Sequence, residues 1–359
     1  MTKNRYALTC LFLAMPLTAA AQQSAPAVVP EEGGAKPGLA RAAEDIPAAW
    51  LVESRETPAA AQAPARRSRR PSMVGYINDG SIRSQVRVRF DAGNGIDAPD
   101  RAELFYPKCG CYRDLPANHP AFDPDAPGPG PGIASDLRFQ QLYVMAEYAA
   151  TDRLSVFGEL PFRRLQPQAF VPDTGSFDDQ SGLSDLRVGA KFGILSTETT
   201  ALTLQLLAQL PTGDGRKGLG VEHYSFEPAV LYNQSLNDRV RLEGQFGVIL
   251  PSGGADGIAT TEEPFAGKVL YYGIGPSIEV YRGDTVSFAP VLELVGWRVL
   301  DGFQTSTLSA VDNLDVVNLK VGGRFTFRDT NSIYIGYGRA LTDAVWYQNV
   351  VRFEYRAGF

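Results

Sequence analysis

Charged side chains recur at every second position along several segments of this chain. In residues 81–90, Arg83, Arg87 and Arg89 share one face, because side chains two residues apart along a strand point the same way. Such a face could select charged solutes, or its ions could pair with one another as a structural network, and both interpretations stay open. The candidate lumen-lining residues are Arg83, Arg87, Arg89, Glu159, Arg187, Lys191, Arg241, Glu243, Lys320, Arg324, Arg352, Glu354 and Arg356.

Two cysteines form a second candidate site. Cys109 and Cys111 are separated only by Gly110 in the string YPKCGCYR. Neighbouring cysteines usually pair in an oxidising compartment, and a glycine between them relaxes the small ring. A metal site is the alternative, although the spacing matches no standard zinc pattern. The sequence predicts a local disulfide, with no metal and no cofactor.

The histidines give no support for catalysis. His119 and His223 are the two histidines of the chain, and neither lies in a serine-hydrolase elbow or a zinc-protease motif. A Ser-His-acid site would need a histidine beside a reactive serine. We therefore expect that the protein is not an enzyme.

Strands must position the charged residues, because apolar and polar residues alternate over long segments. Most candidate strands have ten or more residues, which suits a tilted membrane crossing. The twelve predicted strands lie near 81–90, 135–149, 153–162, 184–195, 200–211, 223–234, 239–250, 268–281, 285–299, 314–327, 332–340 and 345–359.

The connections between these strands alternate between short polar turns and longer links. Periplasmic turns are short and extracellular loops long in outer-membrane barrels, and an even strand number permits antiparallel closure. The sequence thus predicts an all-β fold, a transmembrane antiparallel up-and-down β-barrel of about 12 strands, in which the first strand pairs with the last. A soluble periplasmic β-sandwich is an alternative, and it would be extracted without detergent.

The ends of the chain indicate its compartment. Residues 1–21 have the basic, apolar and small-residue parts of a secretory signal peptide. Residues 22–72 are rich in Ala and Pro and predict a disordered periplasmic leader, followed by the barrel over 73–359 with a long extracellular loop at 91–134. The formal net charge of −6 argues against nucleic acid as a partner.

Three strings carry a resemblance to a known family: LSVFGELP, GLSDLRVGAKF and LPTGDG. They resemble the outer-membrane transporter barrels grouped with the meta-pathway of phenol degradation, over roughly residues 135–359. The resemblance implies passage of small, often aromatic, organic molecules across the outer membrane. The last strand, with its final Phe359, also resembles the closing strand by which the barrel-assembly machinery recognises its clients.

These observations together predict location and function. We expect a protein of the Gram-negative outer membrane, in contact with lipid, lipopolysaccharide and a small-molecule solute. Its expected function is passive transport of small organic solutes, aromatic ones among them, through a polar lumen of mixed charge. The alternative is a plugged barrel that serves as a structural or surface-binding protein without transport.

Overall fold

A computed structural model describes residues 71–97, 116–118, 122, 124, 133–171, 178–252, 267–304, 309–328 and 330–359. The predicted signal peptide, residues 22–70 of the predicted leader, His119 and the cysteine pair Cys109 and Cys111 lie outside these residues. In the described ranges, no helix combines the length and apolarity needed to cross a membrane.

The described chain is almost entirely strand. The strands are β1 Gln85–Ile96, β2 Ile133–Ala149, β3 Leu154–Val171, β4 Gln180–Leu183, β5 Leu186–Ser196, β6 Thr200–Leu210, β7 Tyr224–Ser235, β8 Val240–Ser252, β9 Val269–Ile278, β10 Tyr281–Arg282, β11 Val286–Val299, β12 Phe303–Gln304, β13 Ser309–Ala310, β14 Leu314–Phe327, β15 Asn331–Ala340 and β16 Asn349–Gly358. A single sheet forms the wall. In it β4 and β5 act as one interrupted strand and β10 extends β9, whereas the pair of β12 and β13 stands apart.

The sheet closes on itself as an antiparallel barrel of twelve wall strands in the described part of the chain. Each wall strand pairs with its neighbours in sequence, and β1 pairs with β16 to complete the ring. The closing register aligns Arg87 with Arg356 and Arg89 with Glu354. The predicted fold class and the predicted pairing of first and last strands are both confirmed.

The two faces of the wall meet different surroundings. Outward side chains are apolar and exposed, for example Val156 at 48%, Phe192 at 49% and Val321 at 53%, whereas Glu293 and Arg324, which face inward, are fully buried. A continuous outward apolar band would be costly in water and is what a lipid-facing barrel requires. The protein is thus a barrel of the Gram-negative outer membrane, as the alternation predicts.

Some strand limits differ from the prediction. β1 begins at Gln85 instead of residue 81 and runs to Ile96, and β2 begins at Ile133, so part of the predicted 91–134 loop belongs to the wall. Glycines obscured this extension, because Gly93 and Gly95 interrupt the alternation. Gly95 adopts a positive φ of 68°, close to a register shift between β1 and β2.

Residues 71–84, here called the lumen segment, lie inside the barrel. Pro71 lies beside Arg282 and Asp284 at the short-turn end, and the segment rises to Tyr76 before it returns to Gln85 at the same end. Its Met73, Val74 and Ile77 side chains are buried, with Val74 at 0% exposure. Residues 71–72, which the sequence predicts in the leader, and residues 81–84, predicted in the first strand, both belong to the lumen segment instead.

The closing register can be tested with an engineered disulfide. Val88 lies opposite Tyr355 in the β1–β16 pair, so Val88→Cys with Tyr355→Cys should oxidise to a cross-link in a background that lacks the native cysteines. The cross-link should shift the mobility of the heat-denatured chain on a non-reducing gel. Val88→Cys with Val351→Cys is the matched control, because Val351 lies opposite Ala92. Equal cross-linking of both pairs would contradict the register.

Candidate functional site

Wall carboxylates hold the tip of the lumen segment. The backbone N–H groups of Gly75, Tyr76 and Ile77 donate to the carboxylate of Glu293 at 2.9, 2.8 and 2.8 Å. Glu293 is 0% exposed and projects from β11. Hydrogen bonds to a buried charged group are roughly twice as strong as neutral ones, so this carboxylate is a firm anchor.

A second carboxylate and an amide continue the same arrangement along β8. Glu243 accepts from the Met73 N–H at 2.7 Å and more weakly from the next N–H at 3.4 Å. Gln245 accepts from the Asn78 N–H at 2.9 Å. These two residues and Glu293 all point inward because their positions alternate with apolar, lipid-facing residues.

Wall arginines bind the carbonyl groups of the lumen segment. Arg324 donates to the Met73 and Val74 carbonyls at 2.8 and 2.7 Å. Arg356 donates to the Val74 carbonyl at 3.0 Å, and Arg352 to the Gly75 carbonyl at 2.5 Å. Backbone outside the sheet has no neighbouring strand with which to form hydrogen bonds, so the charged side chains of the wall supply these bonds instead.

The same arginines also pair with carboxylates of the wall. Arg324 and Arg356 each lie 2.7 Å from Glu354, and Arg352 makes a two-pronged contact with Asp91 at 2.7 Å. Glu354 is 0% exposed, so these are buried pairs whose desolvation cost must be offset by several hydrogen bonds. The arrangement supplies those bonds through the backbone of the lumen segment.

A second ion cluster lies across β1, β3, β5 and β7. Glu159 pairs with Arg87 at 2.8 Å and with Arg187 at 3.0 Å, and it lies 3.6 Å from Arg89. Arg187 also reaches Glu227 at 3.3 Å. Among the described bonds this cluster contacts no group of the lumen segment, and its ions pair with one another within the wall.

The other predicted lining residues are placed as follows. Lys191 pairs with Glu147 at 3.0 Å, and Arg241 donates to the Pro71 carbonyl. Arg83 belongs to the lumen segment instead of the wall, and it donates to Gln85 at 2.8 Å. Whether any of these side chains selects solutes stays a prediction.

Asp79 ties the returning arm of the lumen segment to the wall. Its carboxylate lies 3.5 Å from Arg356 and accepts from the Ser81 N–H at 2.8 Å. Burial on its own would raise the pKa of Asp79, but Arg83 and Arg356 beside it hold that pKa below its usual value. The carboxylate therefore stays ionised at neutral pH and keeps its contact with Arg356.

Sequence reasoning missed several partners. Glu147 and Asp91 are buried members of the ion clusters, although neither was a candidate. Asp91 continues the alternation of Arg87 and Arg89, and Glu147 shares its face with Met145, so parity alone could have found both. No sequence signal showed that residues 71–84 would be the main partner of the inward arginines.

The interior changes character toward the end with the long links. Buried apolar residues at the far ends of β1, β2 and β3, together with Val350, form one cluster there, and Tyr76, Trp346 and Tyr347 pack against it. We call this cluster the apolar mouth. Its buried members are Ile96, Ala134, Leu137, Phe139, Leu165, Leu219 and Val350.

The family-like strings meet beside the apolar mouth. Asp185, in GLSDLRVGAKF, accepts from the Gly213 N–H and the Val221 N–H, both at 2.9 Å, and from Gln209 at 3.0 Å. Gly213 belongs to LPTGDG, so one string anchors the loop that begins with the other. That loop carries Leu219 into the mouth, where the residue is 3% exposed.

Metal and histidine chemistry find no support in the described ranges. They contain no group of three or more His, Cys, Asp or Glu side chains that could hold a metal ion. His223 is buried, with Nδ1 2.7 Å from the Val221 carbonyl oxygen.

Replacement of the main anchor should release the lumen segment. Glu293→Ala leaves three buried N–H groups without their acceptor, which should cost about 3 kcal/mol of local stability. Hydrogen exchange of the 73–77 amides, followed by mass spectrometry, should then accelerate about 100-fold. Asp179→Ala is the control, because it removes an exposed carboxylate paired with Arg164. Unchanged exchange in Glu293→Ala would show that this carboxylate does not hold the segment.

Comparison with solved structures finds several similar chains. The COG4313 outer membrane channel from Pseudomonas putida F1 is 17% identical, with a TM-score of 0.48 over 77% of this chain and 96% of that one. The beta domain of the Bordetella autotransporter BrkA is 11% identical, with a TM-score of 0.45 over 77% and 100%. The NanC porin is 6% identical, with a TM-score of 0.42 over 77% and 98%.

No curated protein matches the chain significantly. A family match covers residues 128–347, which is more than half of the chain and includes all three strings discussed above. The chain belongs to the family described as "Putative MetA-pathway of phenol degradation".

Proposed function

We propose that the protein is a passive outer-membrane channel for small organic solutes, aromatic ones among them. The observation that carries this proposal is the apolar mouth, a buried apolar cluster near the long-link end against which the ring of Tyr76 packs. Ligand sites are mostly apolar and aromatic with a few placed polar groups, and the mouth with the ions below it has that composition. Membership of a family named for phenol degradation supports the same solute class.

The lumen segment must move for solutes to pass. It fills the part of the lumen nearest the short turns. Its backbone hydrogen-bonds to several of the charged side chains that point into the barrel. Water can replace these bonds when the segment leaves, so its release exchanges one set of hydrogen bonds for another. The uncovered arginines and glutamates would then line the polar part of the path, where they act as the candidate selectivity residues.

A plugged barrel without transport is the second candidate. The specific observation in its favour is that Arg324, Arg356 and Glu293 are almost completely buried beneath the lumen segment. Contact with lipopolysaccharide and recognition of β16 by the barrel-assembly machinery are compatible with both candidates and stay predictions.

Uptake of two solutes distinguishes these possibilities. Purified protein is placed in vesicles with an outer leaflet of lipopolysaccharide, and the uptake of radiolabelled phenol and glucose is measured. Phenol should accumulate several-fold faster than in protein-free vesicles, whereas glucose should not, because the mouth is apolar. Uptake of neither solute would favour the plugged barrel. Equal acceleration of both would indicate a general hydrophilic pore and contradict the proposal.

A further inference from the structure

The ring of Tyr76 lies in a cage of cations and aromatic side chains. The guanidinium carbon of Arg352 is 4.1 Å from the ring centroid, and Nζ of Lys320 is 4.3 Å from it. The edge-on ring of Tyr334 lies at a centroid distance of 6.1 Å with an interplanar angle of 83°. Cations attract the face of an aromatic ring, so the cage is suited to an aromatic group in particular.

Lys320 extends the cage toward the apolar mouth. Its Nζ is 4.5 Å from the Tyr347 ring and 6.0 Å from the Trp297 ring, and it hydrogen-bonds to the Tyr347 hydroxyl. No carboxylate lies within ion-pair distance of Lys320 among the described pairs. The close contacts that the structure gives for the Lys320 amine are therefore all with aromatic side chains.

The hydroxyl of Tyr76 is buried and has no hydrogen-bond partner among the described residues. The indole N–H of Trp346, on a ring that packs against the same apolar mouth, is also buried without a partner in the described ranges. Buried polar groups are nearly always satisfied, so unsatisfied groups of this kind mark a place for water or a polar ligand atom.

We infer that this cage is a binding site for a phenolic solute, and that Tyr76 occupies it as an internal ligand. The Tyr76 side chain ends in a phenol group. It reaches the cage from the lumen segment, and the same ring packs against the apolar mouth. A phenol molecule arriving through the mouth and the Tyr76 ring compete for the same cations. Solute binding then favours the state in which Tyr76 has withdrawn.

This inference rests on the proposed uptake of small aromatic solutes, but it is tested by binding alone. Phenol is titrated into the purified full-length protein in detergent micelles by isothermal calorimetry, with empty micelles as the blank. Tyr76→Ala should bind phenol about tenfold more tightly than the wild type, because the internal competitor is gone. Tyr76→Phe should bind like the wild type, because it keeps the ring.

Further variants distinguish a cation–π binding site from a nonspecific cavity left by the truncated side chain. Adding Lys320→Met to Tyr76→Ala should remove most of the gain, whereas Tyr148→Ala, which removes an exposed outward ring, should change nothing. Cyclohexanol, which matches phenol in size but lacks the aromatic ring, should show no comparable gain. Tyr76→Leu provides a second substitution without a ring, and heat-modifiable gel mobility verifies folding of each variant.

The outcomes are decisive in both directions. A Tyr76→Ala or Tyr76→Leu protein that binds phenol no more tightly than the wild type would overturn the inference, as would an equal gain for cyclohexanol. Phenol uptake into vesicles without the binding gain would leave the channel proposal standing and remove this one. A binding gain without uptake would remove the channel proposal and leave the site.

Discussion

A backbone placed inside a closed barrel has no strand to pair with, and this constraint governs the interior of the protein. The lumen segment presents N–H and C=O groups away from bulk water, where each unsatisfied group would be costly. Glu293 and Glu243 accept from the N–H groups, while Arg324 and Arg356 donate to the carbonyls. These four wall charges thus hold the backbone of the lumen segment, whereas the ions around Glu159 pair within the wall.

The interior accordingly has two parts with different chemistry. Near the short turns it holds ions and the backbone of the lumen segment beside a buried apolar cluster that includes Met73 and Val74, whereas near the long links it is apolar and aromatic. Tyr76 lies at the boundary, because its backbone N–H is bound by Glu293 and its ring packs against the apolar mouth. In the proposed channel, a solute entering from the long-link end would meet this apolar cluster before the ions, and the preference proposed for small aromatic molecules follows from that order.

Much of the wall could be predicted from the sequence, and much of the lumen could not. A period of two fixes which side chains face lipid, so the twelve strands, the closing β1–β16 pair and the inward position of most candidate residues follow from it. Ile82 and Arg83 continue that same period, so the alternation predicts that the first strand begins at residue 81, although residues 81–84 belong to the lumen segment. The alternation shows which way a side chain points but not which group it binds. Nothing in the positions of Arg324 and Arg356 indicates that they bind the carbonyl groups of residues 73 and 74.

The central claim is that the lumen segment closes the channel and must move for solutes to pass. A Cβ atom at Gly80 would lie 3.2 Å from Leu231 Cβ, close to the roughly 3.5 to 4.5 Å of a disulfide, so Gly80→Cys with Leu231→Cys should lock the segment to β7. Phenol uptake into lipopolysaccharide-coated vesicles should fall to the protein-free rate when this pair is oxidised and recover on reduction. The oxidised Val88→Cys and Tyr355→Cys protein, which is locked only within the wall, should keep its uptake. Undiminished uptake by the oxidised Gly80→Cys and Leu231→Cys protein would contradict the account.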